Sequence, residues 1–271
     1  MAGQPDLSKR RCSLLLFLAT PAEEEALAQS ARNRGVAFEK IKDPQLGEYH
    51  WLGAVGSETI IAIRPIREGG RLVMGALGRF GSAARGIRFR EATGAQGIVQ
   101  LGMAFGIDAR FQKLCDVLVS TSVIPYDNRD VRPMPDGRDG YVVDYLRASR
   151  QPARPALVAL FLREQERGGH SFGVHVGAVL SGAARVYSRF FRDELVAAFP
   201  GGDAAVIGGE MEGVGLLAAS TDSGDPVWCV VKGISDFADE NRDAAVEANR
   251  ASACRNAAEF VLSALVNDAK G

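Results

Sequence analysis

Val227-Trp-Cys-Val-Val-Lys-Gly-Ile234 is an apolar run broken only by one lysine and one glycine, and it leads directly into Ser235-Asp-Phe-Ala-Asp239. A strand that is apolar at nearly every position, not at alternate ones, has both faces covered, as in a sheet held between layers of helices. Ser13-Leu-Leu-Leu-Phe-Leu-Ala-Thr20 reads in the same way. Working outward from these two runs, strands are expected at 13–20, 49–55, 59–64, 97–101, 117–124, 174–180, 204–207 and 227–231. Helical patterns fall between them at 21–33, 70–90, 156–167, 187–199, 213–220 and 243–267. The last of these carries Ala253, Ala257, Phe260, Val261 and Ala264 on one stripe, suited to packing on a sheet. Alternating strands and helices of this kind predict an α/β fold: a single three-layer α/β/α domain over residues 13–267 with a central mixed sheet. Residues 1–12 are expected to be a flexible N-terminus. The stretch 124–155, with Pro125, Pro133, Pro135 and Pro152 among many Arg and Asp, is expected to be a surface excursion.

Composition narrows the function classes. The chain has 271 residues, 46% hydrophobic and 24% charged, so it buries a sizeable core and is not a disordered segment. A formal net charge of −1 argues against a nucleic-acid binder working by bulk electrostatics. Only six of the 32 basic residues are lysine, a bias that suits phosphate or carboxylate recognition but equally follows from coding bias. Cys12, Cys115, Cys229 and Cys254 are far apart, and His50, His170 and His175 have no zinc-site spacing, so neither a metal nor another cofactor is expected. Basic residues before the run 12–19 imitate a signal peptide, yet the run is only strand-long and Glu23-Glu-Glu25 follow it. Nothing approaches the 18 or more apolar residues of a membrane span. A cytoplasmic protein with no membrane partner is expected.

Ligands of open α/β sheets collect beyond the carboxyl ends of the strands. Those ends here offer Thr20-Pro-Ala-Glu-Glu-Glu25, Gly102-Met-Ala-Phe-Gly106, Ser181-Gly-Ala183, Gly208-Gly-Glu-Met-Glu-Gly213 and Gly233-Ile-Ser-Asp-Phe-Ala-Asp239. Each has a structural reading too: Pro21 and its acids make a good first helical turn, and Ser235 or Asp236 a plain N-cap. Jointly, acids converging on one sheet edge repel each other and are costly without a ligand. Gly213-Val-Gly-Leu-Leu-Ala218 imitates a dinucleotide fingerprint, but Glu210 and Glu212 would lie where the pyrophosphate must sit, which argues against it.

The pair Glu210-Met-Glu-Gly213 and Val231-Lys-Gly-Ile-Ser-Asp-Phe-Ala-Asp239 resembles the signature of the nucleoside phosphorylase/nucleosidase superfamily. The similar subgroup holds 5′-methylthioadenosine/S-adenosylhomocysteine nucleosidases and phosphorylase-like domains of bacterial conflict systems. Pro21-Ala-Glu-Glu-Glu25, Met74-Gly-Ala-Leu-Gly78, Leu101-Gly-Met-Ala-Phe-Gly106, Asp116-Val-Leu-Val-Ser120 and Leu180-Ser-Gly182 fall in the same order. The resemblance implies cleavage of the N-glycosidic bond of a purine nucleoside or nucleotide, with Asp236 protonating N7 and Ser235 orienting it. It further implies that Glu25 activates water and that Glu212 binds the ribose, with Met211 against the sugar. Glu210, Gly102, Met103, Ala104, Phe105, Ser181 and Arg185 complete the expected substrate site. A homo-oligomer is implied as well. An acid after the first strand and Gln100 at the mid-chain turn favour water over phosphate, although Arg67, Arg71 and Arg79 offer a phosphate site to a phosphorylase alternative. Ala183, where relatives carry an acid, keeps open a catalytically silent nucleotide-binding module.

Overall fold

β1 (Leu14–Phe17) is buried at all four positions and pairs in parallel with two neighbours, β4 (Glu58–Ile63) and β7 (Gly97–Gly106). The computed structural model describes residues 7–145, 150–200, 205–220 and 224–269. In chain order β1 is followed by α1 (Pro21–Asn33), β2 (Glu39–Asp43), β3 (Gly47–Val55), β4, the hairpin β5 (Arg67–Glu68) and β6 (Arg71–Leu72), α2 (Ser82–Thr93) and β7. Then come β8 (Val117–Pro125), the hairpin β9 (Arg129–Pro133) and β10 (Tyr141–Tyr145), β11 (Gln151–Pro152), α3 (Pro155–Arg167) and β12 (Val174–Ser181). The chain ends with α4 (Arg189–Ala198), β13 (Val206–Glu210), α5 (Gly213–Leu216), β14 (Trp228–Asp236) and α6 (Arg242–Asp268).

The fold is the expected α/β arrangement around a central mixed sheet, with one feature that local pattern does not reveal. β7 pairs with β13 as well as β14, β13 with β12, β12 with β8, and β8 with β14. Those five strands therefore close a ring, and Ala104, Leu118, Val179, Ile207 and Ile234, one from each, form a small cluster of their own. β4, β3 and β2 extend the sheet beyond β1. α6 packs against β14 and also meets α1 and α3, while α2 packs on α5. No helix among the described residues is long and apolar enough to cross a membrane.

Several expected boundaries change. The helix expected at 70–90 begins only at Ser82, because Gly69, Gly70, Gly75 and Gly78 adopt positive φ (56°, 79°, 83° and 88°), which a helix cannot accommodate. The strands at 97–101 and 227–231 run on to Gly106 and Asp236, so the glycine-rich segment 102–106 is strand, not turn. Residues 213–220 form one α-turn followed by a 3-10 turn at Leu217–Ala219. The stretch 124–155 is a surface excursion only in part: Ile124, Tyr126 and Ala153 are buried, β9 is exposed, β10 pairs with it half-buried, and β11 pairs with β8; residues 146–149 lie outside those described. Of the expected flexible N-terminus, 1–6 are not described, whereas Leu7–Arg10 form a 3-10 turn, Lys9 pairs with Glu39 at 2.6 Å and Cys12 is buried. Residue 204 of the expected strand 204–207 also lies outside the described residues.

Candidate active site

Three strand ends and one helix start meet in a cleft. The first turn of α1 contributes Thr20 and Glu23, β7 contributes Met103, Ala104 and Phe105, and the end of β14 contributes Ser235 and Asp236. Gly209, Glu210, Met211 and Glu212 come from the β13–α5 junction, Ala184, Arg185 and Val186 follow β12, and Met74 and Arg242 complete the lining.

Glu23 is placed by its own helix. Thr20 is the N-cap and Pro21 the first helical residue, and Glu23, at the third helical position, closes a capping box. Its Oε2 accepts from the backbone N–H groups of Ala19 (2.6 Å) and Thr20 (2.8 Å), which turns the carboxyl back over the strand end. Oε1 accepts from Met103 N–H at 3.4 Å. Gly102 belongs to this arrangement: a Cβ there would stand 2.1 Å from Glu23 Oε1, so only glycine allows the approach. Burial raises the Glu23 pKa to about 7; Lys232 opposes the shift and Glu212 adds to it.

Lys232 is the hub of the acids. It is 1% exposed, and its Nζ lies 2.7 Å from Glu212 Oε2 and 3.1 Å from Glu210 Oε2. Burial opposes its charge, but Glu212, Glu210 and Glu23 together raise its pKa well above the ordinary value. The ammonium is therefore fixed positive, and it makes three buried carboxyls tolerable side by side. Glu210 is occupied structurally: its oxygens accept from the N–H groups of Glu212 and Gly213 at 2.9 Å, occupying the helix N-terminus where a dinucleotide phosphate would otherwise sit. Glu212 is held by Lys232 and by the N–H of Gly75 (3.1 Å), while its carbonyl accepts from Ser82 Oγ at 2.6 Å.

Asp236 is 2% exposed at the end of β14. Ser235 Oγ lies 2.8 Å from its Oδ2, and the N–H of Ala238 donates to Oδ1 at 2.9 Å. Ala238 reaches that position with φ of 51°, an unfavourable conformation for alanine that the turn imposes. Burial raises the Asp236 pKa against these hydrogen bonds and against Arg242, whose Nε stands 3.7 Å away. Arg242 is itself steadied by Tyr187, with its guanidinium 4.8 Å from the ring centre.

Of the residues singled out in the sequence, Asp236, Ser235, Glu212, Met211, Glu210, Met103, Ala104, Phe105 and Arg185 line the cleft. Glu25 does not. Its side chain is 76% exposed and pairs with Arg32 at 3.1 Å, because it lies two positions past Glu23, on another face of α1. Ser181 is buried below the cleft, where its Oγ accepts from Val214 N–H at 2.9 Å. Arg67, Arg71 and Arg79 are exposed and outside the cleft, with Arg79 resting on Phe80. The sequence reading did not assign Glu23, Lys232, Arg242 or the Gly75 N–H to the site. Only the first had a visible signal, the Thr20-x-x-Glu23 spacing of a capping box.

The Phosphorylase superfamily profile matches residues 14–266, and the chain belongs to that superfamily. Among solved structures, it is similar to the 5′-methylthioadenosine/S-adenosylhomocysteine nucleosidase of Neisseria meningitidis in complex with methylthio-immucillin-A. That likeness has 19% identity and a TM-score of 0.67, and covers 94% of this chain and 98% of that one. The corresponding nucleosidase of Colwellia psychrerythraea 34H in complex with adenine matches with 19% identity, a TM-score of 0.69 and coverage of 94% and 95%. Futalosine hydrolase of Helicobacter pylori strain 26695 matches with 20% identity, a TM-score of 0.68 and coverage of 94% and 97%. No curated relative was found by sequence.

Proposed function

We propose that the protein hydrolyses the N-glycosidic bond of a purine nucleoside or nucleotide, with Asp236 as general acid, Glu23 activating the attacking water and Glu212 binding the ribose hydroxyls. The observation that carries this reading is the meeting, in one cleft, of two buried carboxyls whose pKa values are raised and a third, Glu212, held 2.7 Å from the buried Lys232 ammonium. Superfamily membership and the likeness to nucleosidases that bind adenine or an immucillin support it.

In the proposed reaction, Asp236 donates its proton to N7 as the C1′–N9 bond breaks, so the purine leaves as a neutral molecule. Ser235 and the Ala238 N–H hold the carboxyl in place and receive the charge left on it. Positive charge grows on the ribose and is met by the Glu212 carboxyl, fixed from behind by Lys232 and the Gly75 N–H. Water adds to C1′ and Glu23 takes its proton; a carboxyl with a pKa near neutrality is suited to that exchange. Met74, Met103, Phe105 and Met211 supply the apolar walls of the cleft.

Water is favoured over phosphate because four acids, Glu23, Glu210, Glu212 and Asp236, line the cleft against two arginines, Arg185 and Arg242, of which Arg242 stands 3.7 Å from Asp236. Arg67, Arg71 and Arg79, the residues a phosphorylase reading needs, lie outside it. The test is steady-state kinetics on D236N and E23Q with a purine nucleoside that the wild type cleaves. Loss of turnover with little change in KM is expected for both, and full activity in either would refute the assigned role.

A further inference from the structure

A second groove lies on the far side of the first turn of α1, between that turn, the β2–β3 connection and α2, with a volume of about 620 Å³. Its charged lining is Glu24, Glu48, Arg64, Arg67, Arg85 and Arg88. Both acids are already occupied. Glu24 Oε1 accepts from Arg64 Nε at 2.7 Å and lies 2.6 Å from His50 Nε2, and Glu48 pairs with Arg64 and, at 2.8 Å, with Lys40. Burial opposes ionisation of Glu24, but those two hydrogen bonds outweigh it and hold its pKa below the usual value.

That leaves Arg67, Arg85 and Arg88 with no carboxylate partner among the described residues. Arg85 is the informative one, being 5% exposed. One of its Nη groups donates to the Arg64 carbonyl, its guanidinium lies 4.7 Å from the Phe17 ring centre, and its Nε has no hydrogen-bond partner. A buried guanidinium without a counter-ion is costly, and burial alone lowers its pKa to about 10. Arg88 stands three residues further along α2, on the same helix face, with Phe80 and Phe89 also lining the groove.

We propose that this groove is an anion site, separate from the glycosidic cleft, that binds a phosphate group through Arg67, Arg85 and Arg88. The guanidinium fork matches phosphate oxygens, and an oxyanion supplies the charge that Arg85 lacks. The two sites share the first turn of α1: Glu23 faces the cleft, while Pro21 and Glu24 face the groove. The groove and the cleft therefore adjoin through the turn that positions Glu23. The phosphate is either inorganic or carried by a nucleotide, the chemistry being the same.

The test is calorimetric titration of the full chain with inorganic phosphate, with a nucleoside 5′-monophosphate and with the parent nucleoside, at constant ionic strength. Saturable binding of phosphate or of the monophosphate, weakened at least tenfold in both R67A and R88A, is expected. These two side chains are exposed, so their removal leaves the fold intact, which an unchanged melting temperature verifies. Binding of inorganic phosphate identifies the free ion as sufficient; binding of the monophosphate alone identifies a nucleotide. Absence of saturable binding by either ligand, or affinity unchanged in R67A and R88A, overturns the proposal. The readout needs no turnover, so it stands or falls independently of the proposed hydrolysis.

Discussion

At the residue scale, the account depends on which carboxyl does what. Positioned proton transfer contributes about 10²–10⁴ in rate, so D236N and E23Q are each expected to lower kcat by roughly that factor. E25Q should leave kcat unchanged, since Glu25 is an exposed partner of Arg32; a nucleosidase assay on the three variants decides between the neighbouring acids. The acidic limb of the pH profile should reflect ionisation of Glu23 near pH 7, with kcat/KM rising through that value as the base becomes available. The acids of Glu210-Met-Glu212 and Ser235-Asp236 were legible in the sequence because they follow buried strands, where chemistry collects in α/β folds. Glu25, the acid the family resemblance implies, lies outside the cleft for an equally physical reason. Three consecutive acids are alike in composition, and only the spacing from Thr20 marks Glu23 as the one that turns back over the strand end. Lys232 was hidden in the opposite way: within an apolar run it reads as an interruption, although it neutralises the acids around it.

At the element scale, the start of α1 and the middle of β7 form one device. Gly102→Ala should displace Glu23 and lower kcat about as far as E23Q does while the chain still folds, because the added Cβ would stand 2.1 Å from Oε1; circular dichroism and kinetics together check this. Thr20→Ala removes the acceptor for the Glu23 N–H and should cost about 1 kcal/mol of stability, measurable by urea unfolding. Apolar strands and amphipathic helices were legible wherever one element had one environment; α1 runs over the expected residues, Pro21–Asn33. The elements that escaped notice are edge or surface pieces. β2, Glu39-Lys-Ile-Lys-Asp43, is largely exposed at the sheet edge and carries no continuous apolar pattern. The segment before Ser82 has the composition of a helix but not its backbone, since its glycines take left-handed turns.

At the scale of the whole molecule, closure of β7, β13, β12, β8 and β14 into a ring rests on pairings between strands far apart in the chain. Local periodicity carries no record of such pairings, so the sequence pointed to a mixed sheet and not to its closure. The ring brings the ends of β7, β13 and β14 together, and this crowding has a consequence for stability. Lys232→Met leaves Glu210, Glu212 and Glu23 without their cation, and removal of one partner from a buried ion cluster costs about 3–5 kcal/mol. The loss should be largest at neutral pH and smaller in acid. Glu23, whose pKa burial raises to about 7, is tolerated without the cation while protonated, and that contribution to stability is lost as pH rises through its folded-state pKa. Thermal melts of K232M and wild type between pH 4.5 and 8 would measure it, and a difference independent of pH would refute the cluster's role. The central claim, hydrolysis of a purine N-glycosidic bond, is most directly tested by chromatography of a panel of purine nucleosides and nucleotides incubated with the protein, with and without added phosphate. The account predicts free purine base in the absence of phosphate from the wild type and release about 10²–10⁴-fold slower from D236N. Release only when phosphate is supplied, or no release under either condition, would contradict it.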